Sequence, residues 1–335
     1  MPHHSDMTLL SDEVLKEKVS EFVLLTGSSN PALAEQVGKI LGSKVYKPIT
    51  KFADGESRVQ IPINIRRGSV IIIQSTCPPN VDSNIIELLL MIDAAKRASA
   101  DEVLVIIPYF GYARQDRKDR PRVPISASVL GQAIEFAGAD KICTLDIHSE
   151  QLQGFVKTPW DNLYASYSII PRIEQEHFNE LVVASPDKGG VPTATAYARR
   201  LNAHGVAIVY KVRDVHSRDE SEALDIIGDV EGKDVLLVDD MATTAGTLCN
   251  AAQLIKNRGA KKIWAAVTHG VFSEGALDKI NNSPIERVLI TDTIPQPEEV
   301  KSCPKIEIVT IAGLLAEAIL RIESGQSLSE KLIIR

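Results

Sequence analysis

The chain contains few cysteines, no surplus of positive charge and no long apolar run, and each of these absences argues against a class of protein. Its four cysteines among 335 residues lie far apart, which argues against a disulfide framework or a zinc site and fits a reducing compartment. The net charge of −7 disfavours general binding to nucleic acid or anionic membranes. No apolar run approaches the roughly 20 residues of a membrane span, and residues 1–5 lack the apolar core of a signal peptide. We therefore expect a soluble, cytoplasmic protein.

Short apolar runs alternate with helical patterns along the whole chain, and the alternation repeats in the second half. The matching strands are 22–26 with 181–184, 70–73 with 235–238, and 103–107 with 264–268. Such alternation predicts an α/β protein with two tandem domains, each a mainly parallel sheet covered by helices.

We place the domains at residues 21–165 and 166–310, and expect the C-terminal segment 311–335 to pack back on the first domain. Residues 59–65 alternate like a hairpin strand, and the charged stretch 214–225 has little to bury and predicts a mobile loop.

The segment 234–247 combines a buried strand, two carboxylates and a small-residue loop. Val235 to Val238 is a continuous apolar run, Asp239 and Asp240 follow, and a loop from Thr243 to Thr247 leads into a helical pattern. Ligands of open α/β sheets bind at the carboxyl ends of strands, where backbone N–H groups suit phosphate. Paired carboxylates suit vicinal hydroxyls, so the layout predicts a sugar-phosphate site. An acidic turn before a capped helix is the alternative for this segment alone.

A basic segment follows the strand 103–107 and contains aromatic side chains. Its five cations are Arg114, Arg117, Lys118, Arg120 and Arg122, next to Tyr109, Phe110 and Tyr112. Guanidinium groups suit phosphate oxygens and aromatic rings suit a base, so the segment predicts a nucleotide site. A solvated basic loop is the alternative.

Other polar side chains stand at strand ends. Asp146 and His148 follow the strand 141–145 and offer part of a Mg²⁺ site or a phosphate donor. Asp187 precedes two glycines and is a second Mg²⁺ candidate. Lys211 and Arg213 stand before the 214–225 stretch, where a lid could bring cations to a phosphoryl group. A chance Asp-x-His and ordinary edge-strand charges are the alternatives.

Together the motifs resemble a known family. Val-Asp-Asp-Met-Ala-Thr-Thr-Ala-Gly-Thr (238–247) is similar to the ribose-5-phosphate loop of type I phosphoribosyltransferases and of ribose-phosphate pyrophosphokinases. The pyrophosphokinases are singled out by Phe-Ala-Asp-Gly-Glu (52–56), Tyr-Ala-Arg-Gln-Asp-Arg-Lys-Asp (112–119), Asp-Ile-His-Ser (146–149), Ser-Pro-Asp-x-Gly-Gly (185–190) and Thr-His-Gly-Val-Phe-Ser (268–273). The resemblance implies two type I phosphoribosyltransferase-like domains, the first serving ATP and the second ribose 5-phosphate.

The implied reaction, with Mg²⁺, is ATP + ribose 5-phosphate → phosphoribosyl pyrophosphate + AMP, feeding nucleotide biosynthesis. The resemblance assigns ATP to Phe52, Asp54, Glu56, Arg114, Gln115 and Asp119, the first three serving a neighbouring subunit's ATP. It assigns ribose 5-phosphate to Asp239, Asp240, Thr243, Thr244, Ala245, Gly246 and Thr247. It gives catalytic roles to Lys211, Arg213 and His148, metal binding to His148 and Asp187, and an allosteric phosphate to Arg67, Arg122 and Ser327. A homo-oligomer, a hexamer built from dimers, is also implied.

A few residues depart from the family pattern. Thr243 replaces an acidic residue, Thr193 and Thr195 replace basic ones, and Lys188 replaces a neutral or acidic one. We hypothesise that Lys188 partly restores the lost positive charge. The departures keep open an alternative, a catalytically weak regulatory paralogue that assembles with an active synthetase. A phosphoribosyltransferase is a third reading, but it has no use for the segments 52–56 and 112–119.

Overall fold

The computed structural model describes residues 22–212, 223–329 and 332. The described residues form two compact units, each with its own sheet. The first unit contains 22–145, Ser149–Leu163 and the C-terminal segment from Ala312, whereas the second contains Asp146–His148 and Tyr164–Ile311.

The first unit is built on a fully parallel sheet. Its strands are β1 (Phe22–Thr26), β2 (Val45–Tyr46), β3 (Ile49–Lys51), β4 (Ser57–Val59), β5 (Ser69–Ile73), β6 (Glu102–Ile107), β7 (Lys141–Leu145) and β8 (Trp160–Leu163), and its first helices are α1 (Pro31–Leu41), α2 (Val81–Arg97) and α3 (Ser126–Ala137). The main sheet has the order β2-β1-β5-β6-β7-β8, and all its pairs are parallel. Strands β3 and β4 form a separate antiparallel hairpin.

The second unit has a longer sheet. Its helices are α4 (Ser166–Ile173), α5 (Val191–Arg200), α6 (Gly246–Asn257), α7 (Ala276–Asn282) and α8 (Glu298–Lys301), and its strands are β9 (Val182–Ser185), β10 (Gly205–Val212), β11 (Ala223–Ile227), β12 (Val235–Ala242), β13 (Ile263–Gly270), β14 (Arg287–Thr291) and β15 (Ile306–Val309). The order is β11-β10-β9-β12-β13-β14-β15, and only the β10–β11 pair among these strands is antiparallel. The last helix, α9 (Ala312–Glu323), belongs to the first unit and packs against α1.

The strand orders of the two sheets confirm the internal repeat. Strands β1, β5, β6, β7 and β8 stand in the first sheet in the same order as β9, β12, β13, β14 and β15 in the second. The buried runs explain why these segments form central strands, since Val235 to Val238 and Val70 to Ile72 are 0% exposed. The predicted α/β architecture with mainly parallel, helix-covered sheets is confirmed.

The repeat extends to one aspartate in each half. Asp146 directly follows β7, and its Oδ2 accepts a hydrogen bond from the Ala165 N–H, two residues beyond β8 (3.0 Å). Asp292 directly follows β14, and its Oδ1 accepts from the Ile311 N–H, two residues beyond β15 (2.8 Å). Each carboxylate therefore fixes the turn into the next helix, α4 or α9, at the point where the chain leaves a sheet.

Three local predictions were wrong. The strand predicted at 59–65 ends at Val59, because the antiparallel partner strand β3 is only three residues long. The loop predicted at 214–225 includes the start of β11, which pairs with β10; residues 213–222 lie outside the described part. Strand β12 does not stop at Val238 but runs to Ala242, so Asp239 and Asp240 are strand residues.

No helix in the described residues is long and apolar enough to span a membrane.

Candidate active site

The two adjacent carboxyls of β12 have different environments. The Asp240 Oδ2 lies 2.6 Å from the His148 Nδ1, while the Asp239 Oδ1 accepts from the Asp240 N–H (3.0 Å). Burial, followed by repulsion from Asp240, raises the pKa of Asp239 to about 8. Burial would also raise the pKa of Asp240, but the hydrogen bond and charge of His148 outweigh it and hold that pKa below its usual range. The pair therefore offers one ionised and one largely protonated carboxyl at neutral pH.

Asp146 holds the short segment that carries His148. Besides the Ala165 N–H, its Oδ2 accepts a hydrogen bond from the Thr268 Oγ1 in β13 (2.6 Å). Asp146 has a φ of 35°, an unusual conformation for a residue with a side chain. These bonds attach the segment to the strand beside β12 and so support the contact between His148 and Asp240. The sequence pattern Asp-x-His indicated both residues but not this division of roles.

Replacing Asp146 by alanine is expected to lower turnover about tenfold or more, because His148 loses its support and small misplacements are costly in catalysis. The matched control is Asp292→Ala. It removes the equivalent hydrogen bond of the second half, from the Ile311 N–H, at a position that no predicted site residue follows. Both variants should lose stability, by about 1–3 kcal/mol. Steady-state assays at a temperature where both remain folded distinguish them, and equal activity in the two would contradict the role given to Asp146.

The 243–247 loop, between β12 and α6, is held from outside by residues that sequence reasoning missed. The Thr243 carbonyl accepts from the N–H of Ser273 (2.8 Å), and the Thr244 carbonyl accepts from the Nζ of Lys279 (3.2 Å). Ala245 has a φ of 54°, which costs about 1–2 kcal/mol in an L-residue and is the kind of strain found at ligand sites. The motif at 268–273 was a signal for Ser273, but nothing in the sequence indicated Lys279.

The loop before α5 is organised by Asp187. Its Oδ1 accepts from the N–H groups of Gly189 (2.7 Å) and Gly190 (3.1 Å). A Cβ at Gly190 would lie 2.5 Å from the Ser185 Oγ, so any other residue would force the Ser185 side chain to move. One carboxylate oxygen of Asp187 is thus engaged by the backbone, and Oδ2 is the oxygen that a cation would take.

The predicted metal ligands suit a loosely held cation. No group of three or more His, Cys, Asp or Glu side chains in the described part of the chain could hold a metal ion. His148 directs its Nδ1 to the Asp240 Oδ2, and a cation would take the Nε2 of the neutral ring. Mg²⁺ keeps several waters and is usually held by one or two carboxylates together with substrate phosphates. Asp187 and His148 fit such an ion, which would depend on substrate for its remaining ligands.

In the first unit, three predicted ATP residues lie at the tip of the β3–β4 hairpin. Phe52, Asp54 and Glu56 are exposed, and the Asp54 Oδ1 accepts from the Glu56 N–H (3.1 Å). The Arg58 guanidinium lies 5.9 Å from the Phe52 ring centroid. A 49% exposed phenylalanine on a short hairpin is a suitable platform for a planar base.

The first turns of α2 anchor both predicted ATP segments. The Lys51 Nζ, at the base of the hairpin, contacts the Ser83 Oγ (3.1 Å) and the Glu87 Oε1 (3.0 Å). The Tyr112 hydroxyl, in the 112–119 segment, donates to the Asp82 Oδ1 (2.5 Å). The hairpin and the basic segment are therefore fixed by neighbouring residues of one helix.

The remaining predicted residues have diverse surroundings. Gln115 accepts from the Ser126 Oγ at its Oε1 (2.6 Å), while Arg114 and Asp119 are exposed. Arg67 and Arg122 have φ values of 59° and 65°, and the Ser327 carbonyl accepts from Arg321 (2.8 Å). The backbone of Lys211 lies in β10, but its side chain and all of Arg213 lie outside the described residues.

Each unit thus contains a mainly parallel, helix-covered sheet, and in the second unit an acidic strand end leads into a small-residue loop. A family model described as the N-terminal domain of ribose phosphate pyrophosphokinase matches residues 22–138, and one described as the phosphoribosyl synthetase-associated domain matches residues 209–333. The ribose-phosphate pyrophosphokinase of Burkholderia pseudomallei is 47% identical over 307 residues, covering 91% of this chain and 95% of that protein. That of Chromobacterium violaceum is 46% identical over 309 residues, covering 92% and 93%.

A solved structure supports the same family assignment. The crystal structure of phosphoribosylpyrophosphate synthetase from Mycobacterium smegmatis matches with a TM-score of 0.84 and 35% identity, covering 91% of this chain and 99% of that one. The chain belongs to the ribose-phosphate pyrophosphokinase family, and the resemblance found in the sequence motifs is confirmed.

Proposed function

We propose that this chain is an active ribose-phosphate diphosphokinase, which transfers the β,γ-diphosphoryl group of ATP to the C1 hydroxyl of ribose 5-phosphate. The products are phosphoribosyl pyrophosphate and AMP. The observation that carries the proposal is the contact between His148 and Asp240, which joins two predicted site residues from distant motifs at 2.6 Å. Identity of 46–47% to ribose-phosphate pyrophosphokinases over more than nine-tenths of the chain supports it.

Ribose 5-phosphate would bind at the end of β12. Asp239 and Asp240 accept hydrogen bonds from the ribose hydroxyls, and Asp240, as the ionised member, makes the stronger ones. The 5-phosphate takes the backbone N–H groups and hydroxyls of the 243–247 loop, made of Thr243, Thr244, Ala245, Gly246 and Thr247. The C1 hydroxyl is then the free nucleophile.

ATP would be bound by residues of the first unit. Phe52, Asp54 and Glu56 contact the adenine of ATP held by a neighbouring subunit in a homo-oligomer, which we propose to be a hexamer built from dimers. Arg114, Gln115 and Asp119 are proposed to lie at the ATP site as well. Arg67, Arg122 and Ser327 are proposed to bind an allosteric phosphate.

Catalysis would depend on positioning and on charge neutralisation, since phosphoryl-type transfer leaves little covalent work for the protein. Mg²⁺, held by Asp187, His148 and the substrate phosphates, neutralises phosphate charge when bound. Lys211 and Arg213 are proposed to stabilise the transferring diphosphoryl group. The cytoplasm is the proposed location, where the four free thiols would stay reduced.

The test is to incubate the purified protein with Mg-ATP and ribose 5-phosphate and to measure both products. Equal amounts of AMP and phosphoribosyl pyrophosphate are expected. Absence of AMP above background would remove the proposal and favour the regulatory paralogue. Release of pyrophosphate on adding a nucleobase and phosphoribosyl pyrophosphate would instead favour a phosphoribosyltransferase.

Replacing Lys211 by alanine should lower kcat by roughly two orders of magnitude or more, as loss of a transition-state cation does. Binding of ribose 5-phosphate, measured by calorimetry without ATP, should change little. If kcat stayed near the wild-type value, the catalytic role of Lys211 would be lost while the reaction assignment survived.

A further inference from the structure

A large cavity in the second unit is lined by part of the 243–247 loop, by Asp187 and by residues to which no role has been assigned. Its volume is about 960 Å³. The lining comprises Pro186, Asp187, Lys188, Val209, Tyr210, Leu224, Thr244, Gly246, Thr247 and Asn250. Lys188 is the one cation among these described lining residues, in a cavity proposed to receive a dianionic phosphate.

The backbone beside Lys188 has little to offer an anion. The N–H groups of Gly189 and Gly190 both donate to the Asp187 Oδ1, at 2.7 and 3.1 Å. While Asp187 holds these groups, the turn between β9 and α5 does not present them to a phosphate. Positive charge on this wall of the cavity must therefore come from a side chain, and Lys188 stands in the turn itself.

The ammonium group of Lys188 has a structured contact although the side chain is exposed. Its Nζ lies 5.8 Å from the ring centroid of Tyr210, within the range of cation–π attraction. The Tyr210 hydroxyl donates to the Asp225 Oδ2 (3.1 Å), and the Asp225 Oδ1 accepts from the Arg258 Nη2 (2.6 Å). Tyr210 and Asp225 are also register partners across β10 and β11.

Tyr210 is consequently fixed at both ends, by its backbone in the sheet and by its hydroxyl on Asp225. A lysine resting on such a ring gives up less side-chain entropy when it binds a ligand than one that moves freely in water. Thr195 follows the glycines in the first half of α5, and its hydroxyl donates to the Val191 carbonyl (2.8 Å). Because that hydroxyl already donates a hydrogen bond within α5, Lys188 rather than Thr195 is the donor for the anion.

We infer that Lys188 binds the 5-phosphate of ribose 5-phosphate and that Tyr210 is a positioning residue, which holds the Lys188 ammonium on the wall of this cavity. The inference rests on the proposed function, because it deepens the account of the same substrate site. The 5-phosphate is favoured over the diphosphoryl group since Thr244, Gly246 and Thr247 of the 243–247 loop line the same cavity.

The test uses the full-length protein and calorimetric titration with ribose 5-phosphate, ATP and unphosphorylated ribose separately. Lys188→Met, which keeps the length of the side chain, should weaken ribose 5-phosphate about tenfold, the expected loss for one charge-assisted bond. Affinity for ATP and for ribose should not change, and Lys188→Arg should restore most of the loss. The dependence of ribose 5-phosphate affinity on salt should also be shallower in Lys188→Met.

Tyr210 is tested through its dependence on Lys188. Tyr210→Leu should weaken ribose 5-phosphate several-fold, whereas Tyr210→Phe, which keeps the ring, should have a smaller effect. The double variant Lys188→Met with Tyr210→Leu should bind no more weakly than Lys188→Met alone, because Tyr210 acts through the lysine. Additive losses would overturn the positioning role.

The outcomes separate this inference from the proposed function. If the wild type forms phosphoribosyl pyrophosphate and Lys188→Met binds ribose 5-phosphate normally, the inference alone fails. A loss confined to ATP would also overturn it, since Lys188 would then serve the diphosphoryl donor. If the wild type binds ribose 5-phosphate through Lys188 but makes no product, the inference stands and the proposed reaction falls. A wild type that binds no ribose 5-phosphate overturns both.

Discussion

Replacing Asp240 by asparagine is expected to lower kcat/KM for ribose 5-phosphate by about a hundredfold, equivalent to about 3 kcal/mol. Two losses combine, since the ionised carboxylate no longer accepts from the ribose hydroxyls and its contact with the His148 Nδ1 (2.6 Å) is weakened. Initial rates with ribose 5-phosphate varied at saturating Mg-ATP measure the effect.

Asp239→Asn is the matched control in the same strand. The pKa of Asp239 is raised to about 8, so its carboxyl holds a proton more readily than that of Asp240 and an amide resembles the protonated form. We therefore expect a clearly smaller loss, of about tenfold or less. Equal losses, or a larger one in Asp239→Asn, would contradict the assignment of Asp240 as the ionised carboxyl.

Replacing Lys51 by methionine should lower the free energy of unfolding of the first unit by about 2–3 kcal/mol, below the 3–5 kcal/mol typical of a fully buried pair. The Glu87 side chain is 0% exposed, whereas that of Lys51 is 44% exposed. Without the lysine, a buried carboxylate keeps hydrogen bonds from Ser28 and Gln74 but loses its counter-charge. Urea unfolding followed by circular dichroism measures the change.

The control is the double variant Lys51→Met with Glu87→Gln, which removes the stranded charge and should recover most of the loss. A double variant no more stable than Lys51→Met would mean that the lysine acts through packing alone. KM for ATP should rise in Lys51→Met, because Lys51 fixes the hairpin that carries Phe52.

Acid should reduce the difference between wild type and Lys51→Met. Burial would raise the pKa of Glu87, but the hydrogen bonds from Ser28 and Lys51 and the charge of Lys51 lower it below the ordinary 4.5. A lowered carboxyl pKa contributes stability that is present above the unfolded pKa and is lost as pH falls through the folded pKa. The two proteins should therefore differ at pH 7 and converge as the pH falls through the lowered pKa of Glu87.

The sequence was sufficient for the parts that depend on local patterns. Proline at the first helical position and glycine just past the last apolar residue predict α1 between Pro31 and Gly42, and Gly42 has a φ of 65°. The central strands were predicted because sheets buried on both faces require continuous apolar runs. The pairing of strands across the repeat followed from the same runs.

Other features depend on partners that are distant in the chain. Asp239 and Asp240 looked like residues beyond a strand, because charged side chains rarely extend a buried run, yet β13 pairs with β12 as far as Ala242. The contact of His148 with Asp240 spans two motifs, and only the family resemblance placed both at one site. Tyr210 and Lys279 carry no motif, so the sequence did not predict the contact of Tyr210 with Lys188 or that of Lys279 with the 243–247 loop.

The position of α9 in the first unit has a consequence for how the protein is made. The helix covers α1 near the start of the chain, and the Ser69 Oγ donates to Glu323 at its end (2.8 Å). A ribosome releases the residues of α9 only after the whole second unit has emerged. Domains that complete themselves early can fold as they are synthesised. Here the part of α1 that α9 covers stays exposed until the second unit has been synthesised, so the first unit cannot be completed before the second has emerged.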